Sequence, residues 1–290
     1  LVLTGVLTGL RRFRQIAFVN MGATMLGAVI FIGLTLAFGL IGGLAGTLLA
    51  VASALLVTLL VLRGEGGLRI RDCFAHWRPE LVRPIVAFYP MLLVHAAAEP
   101  ATLLLVRDAL IDSQGVALAG QWQATLRLSN MFTMVLVTTL SMYALPTLSA
   151  IGDAQRFRST MYGIVYKVAA LTAGLALAIY VLRDPIVRVV FTAQFLPMRD
   201  LLGTQLVGDV LNMACWPLQA GLMAQNRAKT YMAVEVLVAA VQIGLTHMML
   251  TDMGLSAATT AYAVTWGVAM TVLVLLHWRV RGHGAPASQA

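Results

Sequence analysis

The chain has 290 residues, of which 60% are hydrophobic and 11% charged, and its mean hydropathy is +0.85. Soluble domains carry about 25% charged residues, so this chain has too little polar surface to cover a water-soluble fold. The formal charge of +8 comes from short basic clusters at the ends of apolar runs, a pattern that encodes membrane orientation and argues against nucleic acid as a partner.

Taken in chain order, Leu1 to Leu10 is apolar but too short to span, and with no basic leader it reads as the tail of a cut helix. Eight runs of about 20 apolar residues follow, each long enough to cross about 30 Å of hydrocarbon as a helix. They are Ile16 to Phe38, Ile41 to Leu62, Ile85 to Val106, Gln121 to Leu148, Tyr162 to Leu182, Leu201 to Ala224, Met232 to Leu250 and Leu255 to Trp278. Lipid offers backbone groups no partner and the runs lack the period-two alternation of a membrane barrel, so the predicted fold is an all-α polytopic bundle. Between the second and third runs, Arg71 to Arg83 with Trp77 predicts a short surface helix; Arg183 to Asp200 predicts an interfacial helix and turn. Cys73 falls in a basic loop and Cys215 in a span, an arrangement that suits neither a disulfide framework nor a metal knuckle.

Alternate loops divide the 20 Lys and Arg residues unevenly: 14 lie on one side, 4 on the other, and Arg127 and Lys167 fall inside spans. By the positive-inside rule the richer side, including the C-terminal tail, is cytoplasmic. An internal repeat is also legible. Phe38-Gly39-Leu40 and Met253-Gly254-Leu255 each precede small residues and a span ending in arginine, at an offset of 215; Arg12-Phe13-Arg14-Gln15 and Arg227-Ala228-Lys229-Thr230 give the same offset. Duplicated halves are a transporter architecture with the path at their interface. This division predicts residues 1–62 as the remnant of a first six-helix lobe, 63–83 as a cytoplasmic linker and 84–290 as a second lobe, with about 130 residues preceding Leu1 in a complete twelve-helix protein. The alternative origin of the same matches is that small-residue hairpins and basic caps recur in any polytopic protein.

Ionisable side chains in a bilayer are costly and mark cavities or partners. His95 and Glu99, four apart, share a helix face and read either as a proton relay or as a hydrated pair. Arg127 follows Gln121, Trp122 and Gln123, a run of polar donors and aromatic surface that suits an anionic, sugar-bearing ligand; the alternative is a structural pair with Asp209. Lys167 and Glu235 lie close enough to a membrane surface to snorkel. No phosphate-cradling glycine loop, nucleophile elbow, Asp-rich pair or His-x-x-x-His is present, so the sequence predicts a transporter without cofactor or metal.

Several segments carry a resemblance: Leu182-Arg183-Asp184, Phe191-Thr192-Ala193-Gln194-Phe195, Arg199-Asp200-Leu201, Gln205-Leu206-Val207-Gly208-Asp209, Gly120-Gln121-Trp122-Gln123, Val106-Arg107 and the opening Leu3-Thr4 to Arg14-Gln15. Here the chain resembles the Wzx-type flippases for O-antigen and enterobacterial common antigen, of the multidrug/oligosaccharidyl-lipid/polysaccharide exporter superfamily. The resemblance implies two six-helix lobes in a bacterial inner membrane and an undecaprenyl-diphosphate-linked oligosaccharide as cargo, with membrane lipids, the glycan polymerase and the chain-length regulator as partners. It departs from the enterobacterial pattern at Asn212 and Arg127, where lysines are expected. Arg127 and Arg107 are then expected on the diphosphate, Gln121, Trp122 and Gln123 on sugar, and His95, Glu99, Asp209 and Lys167 as coupling or structural ion-pair residues. A drug or cation antiporter of the same superfamily is the competing reading.

Overall fold

A computed structural model describes residues 13–64 and 79–279. The predicted tail at Leu1 to Leu10, Cys73, Trp77 and most of the basic linker, and the C-terminal tail lie outside them. The chain divides into two compact units, Leu1–Val82 and Arg83–Ala290, and the described residues contain helices and no strand. In order these are α1 (Phe13–Gly64), α2 (Pro79–Gln114), α3 (Val116–Ser149), α4 (Ala154–Val181), α5 (Arg183–Val190), a 3₁₀-helix (Ala193–Met198), α6 (Arg199–Ala224), α7 (Ala228–Met253) and α8 (Ser256–Arg279).

In the first unit, α1 is two helical arms joined at Gly39, whose φ of 59° and ψ of −135° lie in a region that glycine enters without strain. The arms form an antiparallel hairpin, with Gly22 facing Val57, Gly27 facing Ala50 and Gly46 facing Phe31. Small residues at these crossings let two backbones approach in lipid, where no hydrophobic effect pushes helices together. Its partner in the repeat is the turn between α7 and α8, where Gly254 has a φ of 56° and a ψ of −130°. The two glycines share one unusual backbone conformation.

Six described stretches are long and apolar enough to cross a membrane, the first of them covering both arms of α1. The predicted span Leu201 to Ala224 is present as α6 but is not among them, because Gln205, Asp209, Asn212 and Gln219 lower its hydropathy. This helix tolerates polar residues because it packs against α3, α4 and α8 at the centre of the second unit, away from lipid. The main core, with Met161, Met213, Leu218, Leu222 and Leu273 fully buried, lies around it. The α2–α3 connection is tighter than predicted, a single residue, Gly115, with φ +86°. Arg107, expected in that loop, is instead an exposed residue of α2.

At the predicted interfacial segment, α5 turns Val187 into the core beside Met198 and Leu202 and leaves Val189 and Val190 exposed. Arg183 lies 4.3 Å above the Tyr180 ring, and Arg199 lies 3.7 Å from Asp184 and 3.6 Å from Asp200.

Candidate functional site

The polar side chains of the second unit form three groups. The first is buried. On α6, Gln205 and Asp209 are four residues apart and share a face, towards which α3 brings Ser129 and α8 brings Tyr262. Ser129 Oγ donates to Asp209 Oδ2 at 2.6 Å, while Gln205 Nε2 and Tyr262 OH each donate to Oδ1 at 3.2 Å. Asn212 Nδ2 donates in turn to Tyr262 OH at 2.9 Å. With Asp209 only 1% exposed, these donors replace the water its carboxylate would otherwise need. Tyr262 reaches the site because residue 208 is glycine: an ideal Cβ there would sit 2.6 Å from Tyr262 Cε1.

The expected pairing of Asp209 with Arg127 is not formed. Ser129 faces α6, and Arg127, two residues earlier, is turned about 200° away around α3. Arg127 is exposed, as is Lys167 on α4, and among the described residues neither makes an ion pair.

The second group is a stripe on α3. Gln123, Arg127 and Asn130, spaced four and three apart, follow one helix face; Arg127 and Asn130 are exposed and Gln123 is half-buried. Sequence reasoning overlooked Asn130, whose spacing from Arg127 was the available signal. It also placed Trp122 on this surface, and the structure corrects that. Trp122 is 2% exposed and packs with Val106, Leu110, Leu201 and Leu250, so its indole is a core side chain. Gln121 is half-buried, with its Oε1 shut from solvent and unpaired, and points away from the Arg127 face.

The third group joins three helices. His95 of α2 places Nδ1 3.5 Å from Glu235 Oε2 and 3.3 Å from Tyr231 OH, both on α7, with the two rings edge-on and 6.3 Å apart. Gln219 of α6 donates from Nε2 to the other Glu235 oxygen at 3.4 Å. The His95 side chain is 53% exposed and that of Glu235 13%, so the group is a half-open pocket. Here too the sequence-based pairing is corrected: Glu99, one turn along α2, is exposed and makes no hydrogen bond or ion pair among the described residues. Glu235, read as a snorkelling residue, is the true partner of His95.

Comparison with known proteins adds to this geometry. No family model matches the chain. It is 24% identical over 242 residues to the lipid III flippases of Escherichia coli (strain K12) and Shigella flexneri, a match that spans 83% of this chain. The chain covers 58% of the length of those curated relatives. Among solved structures it superposes on a mutant MATE protein with a TM-score of 0.78 and 14% identity, covering 96% of this chain and 65% of that one. A second, an outward-facing multidrug resistance MATE family transporter of the MOP superfamily, gives a TM-score of 0.70 at 15% identity, with 92% and 66% covered. The fold is therefore the helical fold of MATE proteins.

Proposed function

We propose that this chain is part of a flippase that moves a polyprenyl-diphosphate-linked oligosaccharide across a bacterial inner membrane by alternating access. The observation that carries the reading is Arg127, a cation with no carboxylate partner among the described residues, exposed on α3 and flanked by Gln123 and Asn130. It lies eleven residues after Val116, about 16 Å along a helix long enough to cross a hydrocarbon layer of about 30 Å. A guanidinium in such a span needs an anion, and a diphosphate supplies one through charge-assisted, forked hydrogen bonds. Gln123 and Asn130 offer amide donors and acceptors to sugar hydroxyls, while the prenyl tail stays in lipid. The lipid III flippase relatives support a lipid-linked cargo, and the MATE fold supports a two-lobed carrier. In this reading the arginine-rich ends of the bundle and the C-terminal tail face the cytoplasm.

The test uses the full-length protein that contains this chain, reconstituted in liposomes with a polyprenyl-diphosphate oligosaccharide, and follows leaflet accessibility of the sugar. Wild type flips the lipid; Arg127→Ala slows it at least about tenfold, the equivalent of one hydrogen bond to a charged group. Unchanged flipping in Arg127→Ala removes the cationic site. A wild-type protein inactive where a known flippase works, yet exporting cationic dyes, would identify the antiporter instead.

A further inference from the structure

Helix α2 is attached to the second unit in two different ways. Towards its C-terminal end Val106 and Leu110 are fully buried against Trp122, Leu201 and Leu250. Eleven residues before Val106, the His95 pocket is the only polar bridge from α2 to its neighbours among the described residues. Around this bridge one face of α2 is open, with Tyr89, Leu92 and Leu93 each more than half exposed and Ala96, Ala97 and Glu99 exposed as well, while Met91 on the other face is buried. Pro90 and Pro100 flank His95 at five residues on either side. Each proline removes one hydrogen bond from the helix ladder and introduces a point where the helix bends. The bridge therefore sits midway between two prolines of the continuous helix α2, on a stretch with many exposed side chains.

From this juxtaposition we infer that His95 and Glu235 form a proton-controlled latch that holds the middle of α2 against α7. Imidazole is the side chain whose ordinary titration falls between pH 5 and 8, and protonation turns its contact with the Glu235 carboxylate into an ion pair. The closed latch is thus favoured at low pH and released as pH rises. Its surroundings keep this response simple. Glu99 on α2 adds negative charge one turn away, Tyr231 and Glu235 are the titratable groups presented by α7, and α6 contributes the neutral Gln219. No lysine or arginine bonds to Glu235 in the described residues, so the protonated histidine is its cation. Gln219 and Tyr231 orient the two partners without changing charge. The latch is independent of which molecule is carried.

The experiment measures the α2–α7 distance by pulsed electron spin resonance in the full-length protein, in liposomes without substrate. Spin labels are attached at Leu93→Cys and Val236→Cys, both exposed positions, with Cys73→Ser and the buried Cys215 retained. Wild type is expected to show one short distance at pH 5.5 and an added longer component at pH 8.5. His95→Lys, with a fixed cation, keeps the short distance at both values. Glu235→Gln loses the pH response, and Glu99→Gln retains it. A wild-type distance that does not change with pH overturns the latch, as does a response that survives in Glu235→Gln or disappears in Glu99→Gln.

Discussion

Asp209 and Glu235 are both carboxylates within the helical bundle, and their surroundings differ in almost every respect. Asp209 is sealed and accepts from three side chains on three helices, at distances of 2.6 to 3.2 Å. Glu235 keeps longer contacts, 3.4 Å with the buried Gln219 and 3.5 Å with the half-exposed His95. A buried network of this kind fixes one arrangement of helices, since opening it would strand several polar groups in an apolar interior. The half-open contact of Glu235 with His95 is the latch inferred above, which is expected to open and close. The first site therefore behaves as structure and the second as a moving part, and substitutions at each separate these roles.

The largest effect is expected where the sealed site depends on space. Gly208→Val drives two methyl groups into the ring of Tyr262, an overpacking expected to cost about 3 kcal/mol and to displace the tyrosine from Asp209. The check is the thermal unfolding midpoint of purified protein in detergent. A midpoint within about 1 °C of wild type would show that the α6–α8 contact is softer than its geometry indicates. Next comes Asp209→Ala, which leaves Ser129, Gln205 and Tyr262 without their acceptor. A loss of about 2 kcal/mol is expected, and Asp209→Asn, which keeps one acceptor oxygen, should lose about half of that. If instead both variants unfold like wild type but stop transport, Asp209 belongs with the moving parts and the contrast drawn above collapses.

These expectations rest on contacts that the sequence conceals to different degrees. The spans are legible because hydrocarbon thickness fixes their length, and the turns at Gly39 and Gly254 are legible because they take a backbone conformation other residues resist. The face each helix turns inward is not legible. Helix α3 carries polar residues on both its buried and its exposed faces, so its pattern has no phase to tell that Trp122 and Ser129 look into the core while Arg127 looks out. Local spacing pairs His95 with Glu99, yet the partner that packing supplies is Glu235, 140 residues further along the chain. Asp209 and Ser129 are likewise 80 residues apart. Spacing along one helix identifies neighbours on that helix; contacts between helices depend on how they dock.

The smallest stability effect is expected at the open site, and its smallness is what makes it informative. Glu235→Gln preserves an acceptor for Gln219 and Tyr231 and removes only the charge facing a half-exposed imidazole, a contact worth less than about 1 kcal/mol. The detergent unfolding midpoint should therefore stay close to wild type, while the flipping rate of the reconstituted protein becomes less dependent on pH. A loss as large as that of Asp209→Ala would mean that Glu235 is part of the rigid core, and the two carboxylates would then be alike. Unchanged stability together with altered pH dependence would locate the movable contact of the second unit between α2 and α7, where one protonation decides whether a proline-flanked helix is held.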